Sequence, residues 1–271
     1  MVLHSSKTSP VLGVLLWRFR STLVEYTILK LPKFGTPKLH DVVEAQTGEL
    51  KAIIDATEVT AKRTAAASAV ATSTLASDEA TMLTLIGCGE QAKTHLEAIT
   101  IVRPTIRQVN IWSRTSSRVD AFIKESRLKY PTLKFVSASS AHEACKDADI
   151  ICTLTSSRVP LVTKDMVKPG AHINAVGACT PDMRELSSDL VASATIVTDD
   201  LEACMKESGD VVIPKRESIR VDVKYTIGKL LSKARFERHH ITNSSDITIF
   251  ESLGLAIEDL ACAEYLYENF C

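Results

Sequence analysis

The residues with the most recognisable chemistry form a glycine-rich corner, which reads Leu85-Ile86-Gly87-Cys88-Gly89-Glu90-Gln91-Ala92. Its spacing is G-x-G-x-x-A, and it lies between an apolar segment typical of a buried strand and a segment typical of a helix. Gly87 permits a tight turn, Gly89 lets the backbone approach a pyrophosphate, and Ala92 lets the helix pack closely on the sheet. The N–H groups at the start of such a helix attract phosphates. The corner therefore predicts a dinucleotide site, with a purely structural strand-to-helix turn as the alternative.

A second polar group follows the next predicted strand, where dinucleotide-binding proteins contact the adenosine ribose. The chain reads Ile111-Trp112-Ser113-Arg114-Thr115-Ser116-Ser117-Arg118 there, with two guanidinium groups, four hydroxyls and no carboxylate. An Asp or Glu at this position favours the ribose hydroxyls of NAD(H), whereas an arginine accommodates a 2′-phosphate. Arg114 can bind that phosphate through charge-assisted hydrogen bonds. The segment therefore predicts NADP(H) rather than NAD(H), against the alternative of an ordinary polar loop.

Two further segments follow strands of the same predicted sheet. Thr153-Leu154-Thr155-Ser156 follows one strand, and Ala175-Val176-Gly177-Ala178 follows the next. Ligands of open α/β sheets bind beyond the carboxyl ends of the strands. We therefore expect these backbones to line the ribose and nicotinamide, with Gly177 giving the cofactor close access.

The elements that must position these residues alternate between apolar strands and helices from Thr81 onward. The predicted strands are 82–86, 108–112, 134–136, 149–153, 171–176 and 195–198, and the predicted helices are 91–102, 116–130, 141–146 and 186–192. Apolar strands separated by helices predict a parallel sheet covered on both faces and joined by right-handed crossovers. The fold class is therefore α/β, a Rossmann-type doubly wound parallel sheet, and 195–198 is its last predicted strand.

The flanking segments predict a smaller α+β part. Residues 41–55 predict a β-hairpin that turns at Thr47-Gly48, and the alanine-rich residues 58–75 predict a long helix. The remaining predictions are one or two strands in 19–31, a solvated basic loop or helix face at 233–240, and a final helix over 253–267.

Composition excludes several classes of protein. The 271 residues carry a net charge of −1, so no global basic field favours nucleic acid, and no apolar run is long enough to span a bilayer. The seven cysteines are scattered without a C-x-x-C pair, which favours free thiols in a reducing compartment over a metal site. We therefore expect a cytoplasmic protein without a metal.

Several motifs together resemble the ornithine cyclodeaminase/mu-crystallin family, and most closely its ketimine reductase branch. The motifs are Gly87–Ala92, Ile111–Thr115, Thr60-Ala61-Lys62-Arg63-Thr64-Ala65-Ala66, Lys168–Ala178, Pro181-Asp182-Met183-Arg184-Glu185-Leu186, Lys206–Val211 and Ser252–Asp259. They follow one another in the family's order from about Glu44 to the C-terminus. The resemblance implies a Rossmann domain at 76–250 and a second domain for substrate and dimerisation at 1–75 plus 251–271.

The resemblance also implies roles for individual residues. Arg63 would lie near the cofactor and bind the substrate carboxylate, with a surface salt bridge as the alternative. Glu207 would face the ligand pocket, with an ordinary helix-end carboxylate as the alternative. The cofactor would be held by Arg63, Gly87, Cys88, Gly89, Glu90, Gln91, Ser113, Arg114, Thr115, Arg118, Thr153, Thr155, Ser156, Val176, Gly177 and Ser252.

Two positions depart from the family's pattern, and a third is a candidate match to it. Cys179 stands where cyclodeaminases carry a catalytic Asp, and a thiol is a poor substitute for a carboxylate base, so ornithine cyclodeamination is disfavoured. Glu251 replaces the family's lysine before Ser252. Lys30 is the candidate for the family's catalytic lysine, with a solvated strand-end lysine as the alternative.

The front of the chain is short by several tens of residues relative to the family and lacks its Ser-His pair and N-terminal arginine. A truncated gene model, a splice form and a degraded paralogue all remain open. We expect NADPH-dependent reduction of cyclic ketimine carboxylates by a homodimer that binds neither nucleic acid nor membrane. The alternative is a protein that binds NADPH and a small carboxylate of the thyroid-hormone type without turnover.

Overall fold

The computed structural model of the protein describes residues 26–30, 39–232 and 244–270. In chain order the elements are β1 (Tyr26–Lys30), β2 (Leu39–Glu44), β3 (Leu50–Asp55), α1 (Ala56–Leu75), β4 (Met82–Ile86), α2 (Glu90–Val102), β5 (Gln108–Trp112), α3 (Ser116–Lys129), β6 (Lys134–Ser137), α4 (Ala141–Cys145), β7 (Ile150–Thr153), β8 (His172–Ala175), α5 (Ser188–Ser193), β9 (Thr195–Thr198), α6 (Leu201–Glu207), α7 (Gly209–Arg216), β10 (Val223–Thr226), α8 (Ile227–Ser232), β11 (Thr248–Glu251) and α9 (Ala256–Phe270). The predicted basic segment 233–240 lies outside the described residues, as does most of 19–31. None of the described helices combines the length and apolar character that crossing a membrane requires.

The chain divides into two compact units, one drawn from residues 1–67 and 254–271 and the other from residues 68–253. In the first unit β1, β2 and β3 form an antiparallel sheet in that order, and α9 packs against β1 and β2. The predicted hairpin is present as β2 and β3, and Gly48 takes a positive φ of 73° in the turn between them. α1 starts in this unit and crosses into the second.

The second unit is built on an eight-stranded parallel sheet with the order β10-β9-β11-β8-β7-β4-β5-β6. Side chains alternate across it, so Leu83 and Leu85 join the apolar cluster on one face while Ile86 joins the cluster on the other. β4, β5 and β6 run outward in one direction, and β7 then pairs with the opposite side of β4. Ligands of open α/β sheets bind at such a reversal, which lies here at the carboxyl ends of β4 and β7. The predicted Rossmann-type α/β fold is confirmed.

The last strand that the sequence pattern made clear, 195–198, is not the last strand of the structure. β10 and β11 follow it, and β11 inserts between β8 and β9, where all four of its residues are buried. A four-residue strand that ends in Glu251 lacks the apolar run by which the other central strands were recognised. Its position depends on pairing with β8 and β9, which no local pattern reports.

Two helices begin a few residues later in the structure than the sequence predicts. The helix predicted from Leu186 begins at Ser188, because Leu186 forms a parallel bridge with Val162 instead. The last helix begins at Ala256 rather than Leu253, after Gly254 with a positive φ of 83°.

Candidate functional site

The strand-end segments form one continuous row of backbone along the carboxyl edge of the parallel sheet. Gly87 N–H donates to the Trp112 carbonyl, and Leu154 N–H donates to the Ile86 carbonyl, both at 2.8 Å. Farther along the row, the N–H groups of Val176 and Ser252 donate to the carbonyls of Thr153 and Ala175 at 3.1 and 2.9 Å. The structure therefore brings together the segments that follow β4, β5, β7, β8 and β11.

The glycine corner combines a closed turn with an open helix start. Gly87 has a φ of 114°, and a Cβ there would lie 2.8 Å from the Leu154 carbonyl oxygen, so only glycine fits. A Cβ on Gly89 would meet nothing within 4 Å, and no side chain caps α2 at this residue. The side-chain oxygen of Gln91 is buried without a hydrogen-bond partner among the described residues. An exposed, uncapped helix N-terminus fits a pyrophosphate.

The segment after β5 presents cationic and hydroxyl groups to solvent. Ser113 is half-buried, and Arg114, Thr115 and Arg118 are exposed. Arg114 is paired with no carboxylate in the part of the chain that the structure describes, and the same holds for Arg118. Unpaired guanidinium groups beside hydroxyls fit a phosphate monoester.

A buried carboxylate that sequence reasoning missed joins the segments after β7 and β8. Glu185 accepts from the Thr155 N–H and the Thr155 hydroxyl at 2.6 Å each through Oε1, and from the Gly177 N–H at 2.8 Å through Oε2. A Cβ on Gly177 would collide with the Thr155 carbonyl oxygen and with this carboxylate. The absence of a side chain at residue 177 is thus required by the protein's own packing.

Behind Glu185 lie two more buried acids. Asp210 accepts through Oδ1 from the N–H groups of Glu185 and Leu186 at 2.8 and 2.9 Å, and its Oδ2 has no partner among the described residues. Glu251 accepts from the Ser208 hydroxyl at 2.9 Å, and its Oε1 likewise has none. The charge reversal noted at residue 251 therefore adds a third acid to this group.

The ionisation of these acids is strongly perturbed. Burial raises the pKa of Glu185 to about 7 against the opposing hydrogen bonds from Thr155 and Gly177. Burial also raises the pKa of Asp210 to about 7, and the nearby Glu185 adds to the rise. Burial and then the charge of Asp210 hold the pKa of Glu251 well above its usual range. No set of His, Cys, Asp or Glu side chains within the described ranges has the arrangement of a metal site.

The remaining predicted residues of this unit occupy different environments. Thr153 and Ser252 are buried, the Ser252 hydroxyl has no partner within the described residues, and Val176 is half-buried. Ser156 and the Cys179 thiol are exposed, and Cys179 follows Gly177 in a tight turn. Glu207 is exposed at the last position of α6. Cys88 is half-buried, and Glu90 is exposed.

Arg63 lies in the other unit, on α1. Its Nη1 pairs with Glu258 at 2.7 Å and its Nε with Asp259 at 3.0 Å, and all three side chains are largely buried. The guanidinium is thus engaged by two carboxylates of its own unit, and it is a buried pair rather than the surface salt bridge left open by the sequence. Lys30 is the last residue of β1 and pairs in register with His40; its side chain lies outside the described part.

Glu185, Asp210 and Glu251 lie far apart in the sequence, so sequence reasoning assigned them no role. Glu185 and Asp210 stand inside motifs that carried the family resemblance, and Glu251 stood out as an acid in place of a lysine. Those were the only signals available, because the close approach of the three acids depends on the order of the strands.

Comparison with protein families matches residues 36–271 to the ornithine cyclodeaminase/mu-crystallin family. The chain is 37% identical over 243 residues to a Delta(1)-pyrroline-2-carboxylate reductase of Bacillus cereus, covering 88% of this chain and 73% of the relative. It is 36% identical over 227 residues to the ketimine reductase mu-crystallin of Mus musculus, covering 84% and 67%.

The fold of this chain is similar to a solved structure of the Delta(1)-pyrroline-2-carboxylate reductase of Thermococcus litoralis in complex with NADH and L-proline. The TM-score is 0.80 at 29% identity, covering 95% of this chain and 90% of that chain. That structure holds a reduced dinucleotide and a cyclic amino acid within the same overall fold.

Proposed function

The chain belongs to the ornithine cyclodeaminase/mu-crystallin family, and from that membership we propose that it reduces the C=N bond of cyclic imino carboxylates with NAD(P)H. A bound nicotinamide supplies a hydride to the imine carbon, and the ring nitrogen takes up one proton, which gives a cyclic secondary amino acid and the oxidised coenzyme. The single observation that carries the proposal is the continuous strand-end row with its open helix start, in a chain this similar to imine reductases.

We propose NADPH as the preferred coenzyme. The corner residues Gly87, Cys88, Gly89, Glu90 and Gln91 bind the pyrophosphate, and the Ser113–Thr115 segment with Arg118 binds the 2′-phosphate. The lining of the ribose and nicotinamide comes from Thr153, Thr155, Ser156, Val176, Gly177 and Ser252. The exposure of Arg114 and Arg118 without a carboxylate partner in the described chain supports the preference for NADPH over NADH.

The substrate carboxylate is assigned to Arg63, with Cys179 and Glu207 as further substrate contacts and Lys30 as the catalytic lysine. Because Glu258 and Asp259 already engage Arg63, it holds a substrate carboxylate only by sharing its remaining N–H groups. An exposed thiol at residue 179 supplies no carboxylate base, which supports imine reduction over cyclodeamination. The protein's contribution is then positioning and carboxylate capture.

A second candidate function is binding of NADPH and a small carboxylate, of the iodothyronine type, without turnover. The engagement of Arg63 by two acids bears on both candidates, since a guanidinium in two ion pairs competes poorly for a third carboxylate. A homodimer in the cytoplasm is proposed for both functions.

Steady-state oxidation of NADPH and of NADH with Delta(1)-pyrroline-2-carboxylate and its six-membered homologue tests the proposal. We expect loss of coenzyme absorbance matched by formation of the cyclic amino acid. Coenzyme binding in a calorimeter without any oxidation would reject reduction in favour of the second candidate. Light scattering of the same material tests the homodimer.

A further inference from the structure

Glu185 connects two of the loops that the proposed reduction assigns to the nicotinamide. One carboxylate oxygen receives the Thr155 N–H and hydroxyl, and the other receives the Gly177 N–H, with all three distances between 2.6 and 2.8 Å. The residue has no exposed surface. Two loops that follow different strands are thus held by the two oxygens of a single side chain.

The two loops also touch each other and the glycine corner. Gly177 faces the Thr155 carbonyl so closely that a Cβ would not fit, and Gly87 faces the Leu154 carbonyl in the same way. The loops after β4, β7 and β8 therefore form one packed tier. A shift of the middle loop cannot occur without moving both neighbours.

The hydrogen bonds require Glu185 to act as an acceptor at both oxygens. A carboxylate accepts at each oxygen, whereas a glutamine of the same size presents one oxygen and one NH2 group. The NH2 group would then face an N–H donor of either Thr155 or Gly177. In either orientation, glutamine leaves the backbone N–H of Thr155 or of Gly177 without its acceptor.

The backbone of Glu185 is itself fixed from behind. Asp210 Oδ1 accepts the N–H groups of both Glu185 and Leu186, and Leu186 is bridged to Val162. The carboxylate of Glu185 is thus presented from a rigid backbone, as a precise geometry at a reacting centre requires.

We propose that Glu185 is a positioning residue of the reduction, whose carboxylate sets the spacing of the Thr155 and Gly177 loops beneath the nicotinamide. This inference rests on the proposed function for the step that it positions. The protein contains a matched control. Asp149 accepts from the N–H groups of Thr81 and Met82 at 2.8 Å each, but at the amino edge of the same sheet.

The test compares Glu185→Gln with Asp149→Asn, since each replaces a backbone-binding carboxylate by an amide. A misplacement of about 1 Å at a reacting centre costs roughly 100-fold in rate. We expect Glu185→Gln to lower kcat by roughly 10- to 100-fold with KM for the imine changed by less than about threefold. Amide hydrogen exchange should quicken in 153–157 and 176–179 in this variant. Asp149→Asn should lose thermal stability but keep kcat within about twofold.

Thr155→Val provides a second variant, because it removes one of the three hydrogen bonds to Glu185 and retains the glutamate. It also removes the acceptor of the Ser157 N–H, which lies 3.2 Å from the Thr155 hydroxyl oxygen. Because Thr155 is also assigned to the coenzyme lining, an intermediate loss of kcat supports positioning when amide exchange quickens in 176–179 as well. The same loss of kcat with unchanged exchange in 176–179 overturns the proposal, and this readout remains available where Glu185→Gln yields no folded protein. Wild-type kcat in Thr155→Val and in folded Glu185→Gln overturns the proposal. An equal loss of kcat in Asp149→Asn also overturns the proposal, since a general loss of stability would then account for the lower kcat.

Failure of the proposed function has a different signature. A wild-type protein that binds NADPH but reduces no imine refutes the reduction alone. In that case the positioning role is read from NADPH affinity, which Glu185→Gln should weaken by at least about tenfold while Asp149→Asn leaves it unchanged. Unchanged affinity in Glu185→Gln then overturns the positioning role.

Discussion

Replacing Asp210 by asparagine should stabilise the protein at neutral and alkaline pH. Asparagine keeps an oxygen for the N–H groups of Glu185 and Leu186, and an amide takes the place of Oδ2, which has no hydrogen-bond partner among the described residues. The variant therefore removes a buried ionisable group with little change in shape. After burial, the charge of Asp210 is the largest cause of the raised pKa of Glu251, and the variant removes that charge.

The magnitude follows from the pKa of Asp210, which burial raises from 3.8 to about 7. The folded protein holds this proton up to about pH 7, while the unfolded chain releases it near its ordinary pKa. The free energy of unfolding therefore falls as pH rises across that window. A shift of about three pK units is worth about 4 kcal/mol, which is an upper limit because Glu185 and Glu251 share the bound protons.

Urea unfolding at about pH 4 and about pH 8 measures this difference, through the linear dependence of the free energy of unfolding on denaturant. Asp210→Asn should match the wild type at the lower pH and exceed it by about 2–4 kcal/mol at the higher. Asp149→Asn is the opposite control, because hydrogen bonds from Lys168, Thr81 and Met82 lower the pKa of Asp149 despite partial burial. Its stabilising contribution is present above pH 3.8 and lost as pH falls, so the variant should be less stable than the wild type at about pH 8. A stability difference between Asp210→Asn and the wild type that does not change with pH would refute the reasoning.

Three further predictions concern the coenzyme and substrate residues. Arg114→Asp should weaken NADPH binding by roughly 10- to 100-fold and NADH binding by less than about twofold, since a charged hydrogen bond is worth about 1.5–3 kcal/mol. Fluorescence titration measures both affinities, and equal losses would contradict the assignment of the 2′-phosphate to Arg114. Gly177→Ala should cost about 1–3 kcal/mol of stability, because its Cβ collides with Thr155. Gly89→Ala has open space around its Cβ, so it should weaken coenzyme binding at a stability cost below about 1 kcal/mol. Thermal melts with and without NADPH distinguish the two variants. Arg63→Ala should cost about 3–5 kcal/mol by removing a cationic partner of two buried acids, and an unchanged melting temperature would show that the pairs are absent in solution.

The parallel sheet and its ligand-binding edge could be predicted because their signals are local. Strands such as Met82–Ile86 are continuous apolar runs, and the G-x-G-x-x-A spacing determines where the strand ends and α2 begins. The order of motifs along the chain predicted the family, and the family match confirmed it. The positions of Arg114 and Gly177 relative to the strand ends follow from the same alternation.

The acids behind the crevice could not be predicted in this way. Glu251 ends a short strand that was not recognised, and only the insertion of β11 between β8 and β9 carries it towards Asp210. Likewise, Glu185 reaches Thr155 and Gly177 because the chain after β8 folds back over the sheet edge. These contacts join residues 8 to 43 positions apart, and their energies depend on the assembled packing.

The sequence by itself determined the type of each strand-end residue: glycine where the backbone must turn, guanidinium where a carboxylate would favour NAD(H), and a thiol at residue 179. These properties belong to single residues and their nearest neighbours in the chain. The tertiary structure decided which polar groups lose water together, and this placed Arg63 between two carboxylates and three acids beneath the crevice. Burial and the mutual approach of charges are properties of the folded whole, so only the fold could set the ionisation of those acids.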